Sequence, residues 1–182
     1  MDRVPITKKF NDAQLNRFVQ SSIDFQHSLS AVTFLQEDCD FDQKYNHVQL
    51  RRFRCYESSA IVYFGRPFVK SKGHEVLGFD RFGIKLTKKE KILKEQILDL
   101  RNKMVAHVDV EKMHFRINTH FIDSPDMFVP EVRFNEGLLL NQQLVEDLED
   151  WLIAVRQQMN SVIWNLAQTQ PQLLKRYIHP QE

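Results

Sequence analysis

Four stretches of this chain repeat apolar side chains every three to four residues, and the last of them constrains the fold most. Leu144, Leu148, Trp151, Leu152, Val155, Met159, Val162 and Leu166 keep to one stripe of a helix over residues 142–167, ahead of Pro171. A stripe that long must be covered by other helices, and the chain offers three. Residues 12–36 carry Leu15, Phe18, Val19, Ile23, Phe25, Leu29, Val32 and Leu35 behind Asn11, a suitable N-cap. Residues 47–64 follow Asn46 and carry Leu50, Phe53, Ala60, Ile61 and Phe64 before Gly65 and Pro67 stop them. Thr87 and Glu90 have the spacing of a capping box, which opens a helix running to about His107. A mainly α helical bundle is therefore predicted, and 42% hydrophobic content over 182 residues suffices for one core in a single domain, 1–182.

Two segments interrupt the helical pattern. Four of the five glycines (Gly65, Gly73, Gly78, Gly83) lie close together, so residues 65–86 read as a long irregular connection of the kind that is often functional or mobile. Before the last helix, Met113, Phe115, Ile117 and Phe121 alternate with His114, Arg116, Asn118 and His120, the period of a strand. A second extended run, Met127 to Phe134, contains Pro130, which restricts it to a sheet edge. With Ser124-Pro125-Asp126 as the turn, a small β-hairpin insertion is predicted at about 110–136, and 168–182 reads as a C-terminal tail.

No apolar run has the length of a membrane span, and MDRVPITKKFND lacks a signal-type apolar region. Two cysteines, Cys39 and Cys55, form no CxxC pair, which fits a reduced compartment, so a cytoplasmic protein without a membrane association is expected. The seven histidines make no HExxH, and His114 and His120 are too far apart to share an ion, so no metal and no cofactor are expected. Phosphate-loop, dinucleotide-binding and GxSxG patterns are missing as well. Cys39 sits among Glu37, Asp38, Asp40 and Asp42, which disfavours a thiolate nucleophile.

The formal charge of +1 is unevenly spread. Between Lys44 and Arg116 there are 17 Lys and Arg against 8 Asp and Glu, a local charge of +9. Such a block is either the footprint of a polyanion such as RNA or a solvated face balanced by neighbouring acidic helices. Lys85, Lys88, Lys89, Lys91 and Lys94 gather around the start of the third helix, Lys103 lies near its end, and Arg51, Arg52 and Arg54 lie in the second. Lys88, Lys89 and Lys103 are the lysines that a polyanion backbone would use.

Chemistry concentrates in Leu100-Arg101-Asn102-Lys103-Met104-Val105-Ala106-His107. On an ideal helix, Leu93, Ile97, Leu100 and Met104 make the core stripe, with His107 at about 40° on one side of Leu93 and Arg101 at about 80° on the other. A permanent guanidinium and an imidazole titrating near neutrality thus border one apolar stripe. Alternatively, Arg101 pairs with Glu146 or Asp147 and His107 closes the helix end. Arg66, held extended before Pro67, either reaches a phosphate or complements the helix dipole.

Arg101-Asn102, four further residues and His107 resemble the R-x(4–6)-H signature of the HEPN superfamily, in the form with a polar residue after the arginine. A capped helix leads into LRNKMVAHVD, a long helix follows, and the upstream IVYFGRPF with its glycine-containing loop resembles the abortive-infection-type branch. The resemblance spans roughly residues 47–165; the hairpin segment departs from it. It implies an antiparallel four- or five-helix bundle that forms a homodimer, with the arginine and histidine of both subunits lining one cleft. It also implies either a metal-independent endoribonuclease, acting as a toxin or antiviral defence effector with an antitoxin or defence-system partner, or a non-catalytic module binding nucleotide, RNA or a protein. A purely structural helical scaffold is the third reading. The chemistry is compatible with RNA cleavage, because RNA carries its own 2′-OH nucleophile and needs only proton transfer and phosphorane stabilisation. His107 is expected to supply the first, Arg101 the second, and Asn102 to orient the phosphate or His107. Arg101 and His107 are about 9 Å apart along an ideal helix and about 120° around it, a gap that a two-fold composite site closes.

Overall fold

The computed structural model describes residues 10–70, 75–106, 115–121, 128–134 and 137–174. The architecture is a helical bundle: α1 (Asp12–Asp38), α2 (His47–Gly65), α3 (Lys88–Ala106), α4 (Gln142–Thr169) and the short α5 (Pro171–Leu174). Helix α1 packs on both α2 and α4, and α3 packs on α2 and α4. The helix starts are fixed by local chemistry. Asn11 and Asn46 each make a reciprocal capping box, with Gln14 and Gln49. The Asn141 side chain accepts from the Leu144 N–H, and Thr87 and Glu90 exchange hydrogen bonds of 2.6 and 3.2 Å. Among the described residues no helix is long and apolar enough to cross a membrane.

The α4 stripe behaves as its period requires: Leu148, Trp151, Leu152, Val155, Met159, Val162 and Leu166 are all buried, and Leu144 is partly so. Trp151 centres an aromatic cluster with Phe25, Phe64 and Phe79, at centroid distances of 5.4, 4.8 and 6.1 Å, and its indole N–H donates to the Glu90 carbonyl of α3.

Three expectations need correction. Ile23, placed in the α1 stripe, is exposed, whereas Arg17, Ser21, Asp24 and Ser28 are buried along one line of that helix. Most of their polar groups are satisfied across the bundle or within α1, although Arg17 Nε is buried without a hydrogen-bond partner among the described residues. Arg17 donates to the Arg66 and Val69 carbonyls, Ser21 to the Arg17 carbonyl at 2.6 Å, and Ser28 to the Ala60 carbonyl at 2.8 Å. The connection 65–86 is irregular as expected, but Arg66 at its start is not extended before Pro67: its φ of −53° and ψ of −45° are helical, because the chain turns on directly from α2. The connection makes two 3-10 turns, Arg66–Phe68 and Phe79–Phe82, and buries Leu77, Phe79, Phe82 and Ile84, because glycine here shapes turns for apolar neighbours. Gly83 closes the second turn at φ 74°, the left-handed region that suits glycine. Nor does a free tail begin at 168: α4 runs to Thr169, and Leu173 and Leu174 of α5 pack against the core.

Before α4, β1 (Phe115–Phe121) and β2 (Phe128–Phe134) pair antiparallel, from Phe115 opposite Phe134 to Phe121 opposite Phe128. Pro130 stands opposite Thr119 in this two-stranded sheet, where every strand is an edge. The Ser124-Pro125-Asp126 turn expected between the strands lies outside the described residues.

Candidate functional site at the end of helix α2

Helix α2 ends where α3 crosses it, and the crossing is close. A methyl group placed on Gly65 would lie 3.0 Å from Cγ and 3.2 Å from Cδ of Arg101. With any larger residue here the aliphatic stem of Arg101 would have to give way by a few tenths of an ångström. The guanidinium is half-buried. Its Nη1 donates to Oδ1 of Asn102 at 3.1 Å, and its Nε is buried without a hydrogen-bond partner among the described residues. The acids expected as alternative partners of Arg101 are engaged elsewhere: Asp147 accepts from Lys89 at 2.7 Å, and Glu146 accepts from Gln142 at 2.9 Å. Within the described residues, then, Arg101 has a neutral partner and an unused N–H.

Arg66, the next residue after Gly65, is positioned from two sides. Its guanidinium lies 4.3 Å above the Tyr63 ring, and its Nη1 is 3.7 Å from Oδ1 of the buried Asp24. Burial pushes the Asp24 carboxyl up, and the charges of Arg66 and Arg17 oppose that shift. The His27 ring of α1 lies 4.9 Å from the Tyr63 ring. Arg66 is thus more than a helix-end charge, because an acid, a ring and a backbone contact from Arg17 all fix it.

The structure brings Arg66, Arg101 and Asn102 to one region through Gly65, while His107 lies outside the described residues. The three lysines are not gathered with them. Lys89 is paired with Asp147, Lys103 forms an i,i+4 ion pair with Asp99, and Lys88 is exposed at the first turn of α3. Other cations of the +9 segment are likewise compensated: Arg52 by Asp38, Arg81 by Glu75 at 2.8 Å, and Arg54 by the Gly137 carbonyl. Burial first, then Asp40 and Glu57, raises the Cys39 thiol, in keeping with an unreactive cysteine. Among the described residues no three His, Cys, Asp or Glu side chains are grouped to hold a metal.

Sequence reasoning missed Gly65, Asp24, Tyr63 and His27. Gly65 reads as a helix stop, and nothing in the sequence tells that its missing side chain makes room for residue 101. Asp24, a charge between Ile23 and Phe25 in an apolar stripe, was the one visible signal. No protein-family model matches this chain, and no curated protein or solved structure does either.

Proposed function

We propose that this protein is a metal-independent endoribonuclease with the bundle, inserted hairpin and composite dimer site of the HEPN type, serving as a toxin or defence effector. The observation that supports this most is the state of Arg101. A guanidinium held across Gly65, bonded to neutral Asn102 and keeping a buried N–H without an acceptor among the described residues, retains its capacity for an anion. In the proposed reaction the 2′-oxygen of RNA bonds to phosphorus as the bond to the 5′-oxygen breaks. A 2′,3′-cyclic phosphate and a 5′-hydroxyl result. His107 takes the proton from the 2′-OH or delivers one to the 5′-oxygen, the partner subunit's copy of the same residue serving the other step. Arg101 stabilises the charge on the phosphorane. Asn102 acts through Arg101 as a positioning residue, accepting the hydrogen bond that orients the guanidinium.

Total RNA incubated with the protein in EDTA tests the reading. Cleavage products ending in cyclic phosphate, lost in His107→Ala and Arg101→Ala, are expected. RNA bound but left intact would instead identify a non-catalytic binding module. Equal cleavage by His107→Ala would remove the assignment altogether.

A further inference from the structure

Three flat groups meet at the end of α2: the Tyr63 ring, the Arg66 guanidinium 4.3 Å from its centroid, and the His27 ring 4.9 Å away at an interplanar angle of 35°. His27 is exposed, the Arg66 side chain keeps 51% of its surface in solvent, and Tyr63 is half-buried, so the group is open rather than part of the core. We infer that His27, Tyr63 and Arg66 form a stacking platform for an unpaired nucleobase, at the last turn of the helix whose Gly65 carries Arg101. The inference rests on the reading of this region as an RNA site and assigns it a base-binding part.

The charges argue for a base over a second phosphate. Arg66 already faces a carboxylate, Asp24, at 3.7 Å, whereas Arg101 faces none among the described residues. Arg66 shares its charge with Asp24, and it offers a ligand an exposed planar face. That face is held before any ligand arrives: Asp24 fixes the guanidinium from α1, Tyr63 supports it from α2, and Arg17 donates to the Arg66 carbonyl. A guanidinium restrained in this way loses little freedom when a base stacks on it. Stacking on rings and guanidinium planes is a general means of holding unpaired RNA bases, whose faces in a duplex are covered by their neighbours. The platform would therefore select single strands and loops.

The test separates base from phosphate and binding from cleavage. The probes are a 2′-O-methyl oligoribonucleotide, which has no 2′-hydroxyl nucleophile, and an abasic sugar–phosphate strand of the same length. Tyr63→Ala is expected to weaken the base-bearing probe by about 5- to 100-fold, the range for one stacked base, and to leave the abasic probe unchanged. Tyr63→Phe should restore binding, which also guards against a folding defect. His27→Ala, at an exposed position, should weaken only the base-bearing probe, and Arg101→Ala should weaken both probes alike. Equal losses for both probes in Tyr63→Ala, no loss for either, or no binding of the base-bearing probe by the wild type would overturn the platform. Base-dependent binding in a protein that leaves RNA intact would overturn the cleavage reading and keep the platform.

Discussion

Two polar stations lie along α2, one closed over by the chain and one partly open to solvent. In the middle of the helix, Glu57 is fully buried, and its Oε1 accepts the N–H groups of Leu139 and Leu140 at 2.6 and 2.7 Å. Arg54 lies 3.9 Å from the other oxygen and also donates to the Gly137 carbonyl. The Gly137, Leu139 and Leu140 groups belong to the segment that leads into α4, so this station ties two parts of the scaffold together. Eight residues on, Gly65 and Arg66 make the second station, where Asp24 and Arg101 meet the helix end, and here the Arg66 side chain keeps about half of its surface in solvent. Each station holds a buried polar atom without a hydrogen-bond partner among the described residues, Glu57 Oε2 in the first and Arg101 Nε in the second. What separates the two is solvent access, because Glu57 is fully buried and Arg66 is not.

The sharpest way to break the comparison is to remove one group from each station. Arg101→Ala or His107→Ala should lower RNA cleavage by about 10²–10⁴-fold, as loss of a transition-state stabiliser or acid–base group does, with an unchanged melting curve. Glu57→Ala should do the reverse. It leaves the buried Leu140 N–H and the part-buried Leu139 N–H without their acceptor, a cost of about 1–3 kcal/mol in stability, while binding per folded molecule is retained. Glu57→Gln keeps an accepting oxygen and should recover most of that loss. Calorimetry and a cleavage assay on the same preparations give the answer. An Arg101→Ala protein as destabilised as Glu57→Ala would make both stations structural.

Gly65 sharpens the contrast within the open station. In Gly65→Ala the new methyl meets Arg101 Cγ at 3.0 Å, so the arginine stem must shift, and a displaced catalytic group costs roughly 10- to 100-fold in rate. Gly78→Ala is the control, because its methyl would meet Arg81 at an ordinary 3.6 Å. Activity should fall in the first and not in the second. Equal activities would mean that the close approach does not set the position of Arg101.

These contrasts also explain what was legible in the sequence. Helix starts were, because Asn11, Asn46 and Thr87 act on groups three residues away. The α4 stripe was, because an apolar period needs no knowledge of its partner. The buried line of Arg17, Ser21, Asp24 and Ser28 was not, since its acceptors include the Arg66 and Ala60 carbonyls, which are distant in sequence. In the connection 65–86 the glycine pattern was read at the expense of Leu77, Phe79, Phe82 and Ile84, although all four were present as core material. At the site, the motif pointed to Arg101 and Asn102, but Gly65 makes room for a helix that is adjacent only in space.

A smaller effect is expected from pH. Burial raises the Glu57 carboxyl above its ordinary range, with the Leu140 and Leu139 N–H groups opposing the shift. Its protonated form is favoured in the folded chain, so this group's stabilising contribution is complete below the unfolded pKa. It is lost as pH rises through the folded one. Between those two values wild-type stability should decline with pH, and Glu57→Gln should show a shallower decline, read from denaturant midpoints across the acid range. An identical slope in both proteins would place the titration elsewhere, for instance at Asp24, which burial also raises.

The least effect is expected at the surface, where part of the basic segment is matched by acids. Lys89 donates to Asp147 at 2.7 Å, and Lys88, its neighbour on the first turn of α3, is exposed and has no ion pair among the described residues. If Lys88 follows an RNA backbone, Lys88→Glu should weaken a single-stranded probe regardless of its sequence. It should also reduce the log–log salt dependence by about 0.7, the share of one phosphate. Lys89→Glu should change the salt dependence less, because the wild-type charge is spent on Asp147, and should loosen the contact between α3 and α4 instead. Titrations of a 2′-O-methyl strand at several salt concentrations separate the two lysines. Equal salt slopes for wild type and both variants would leave this face as solvated surface, with RNA held by the open end of α2 alone.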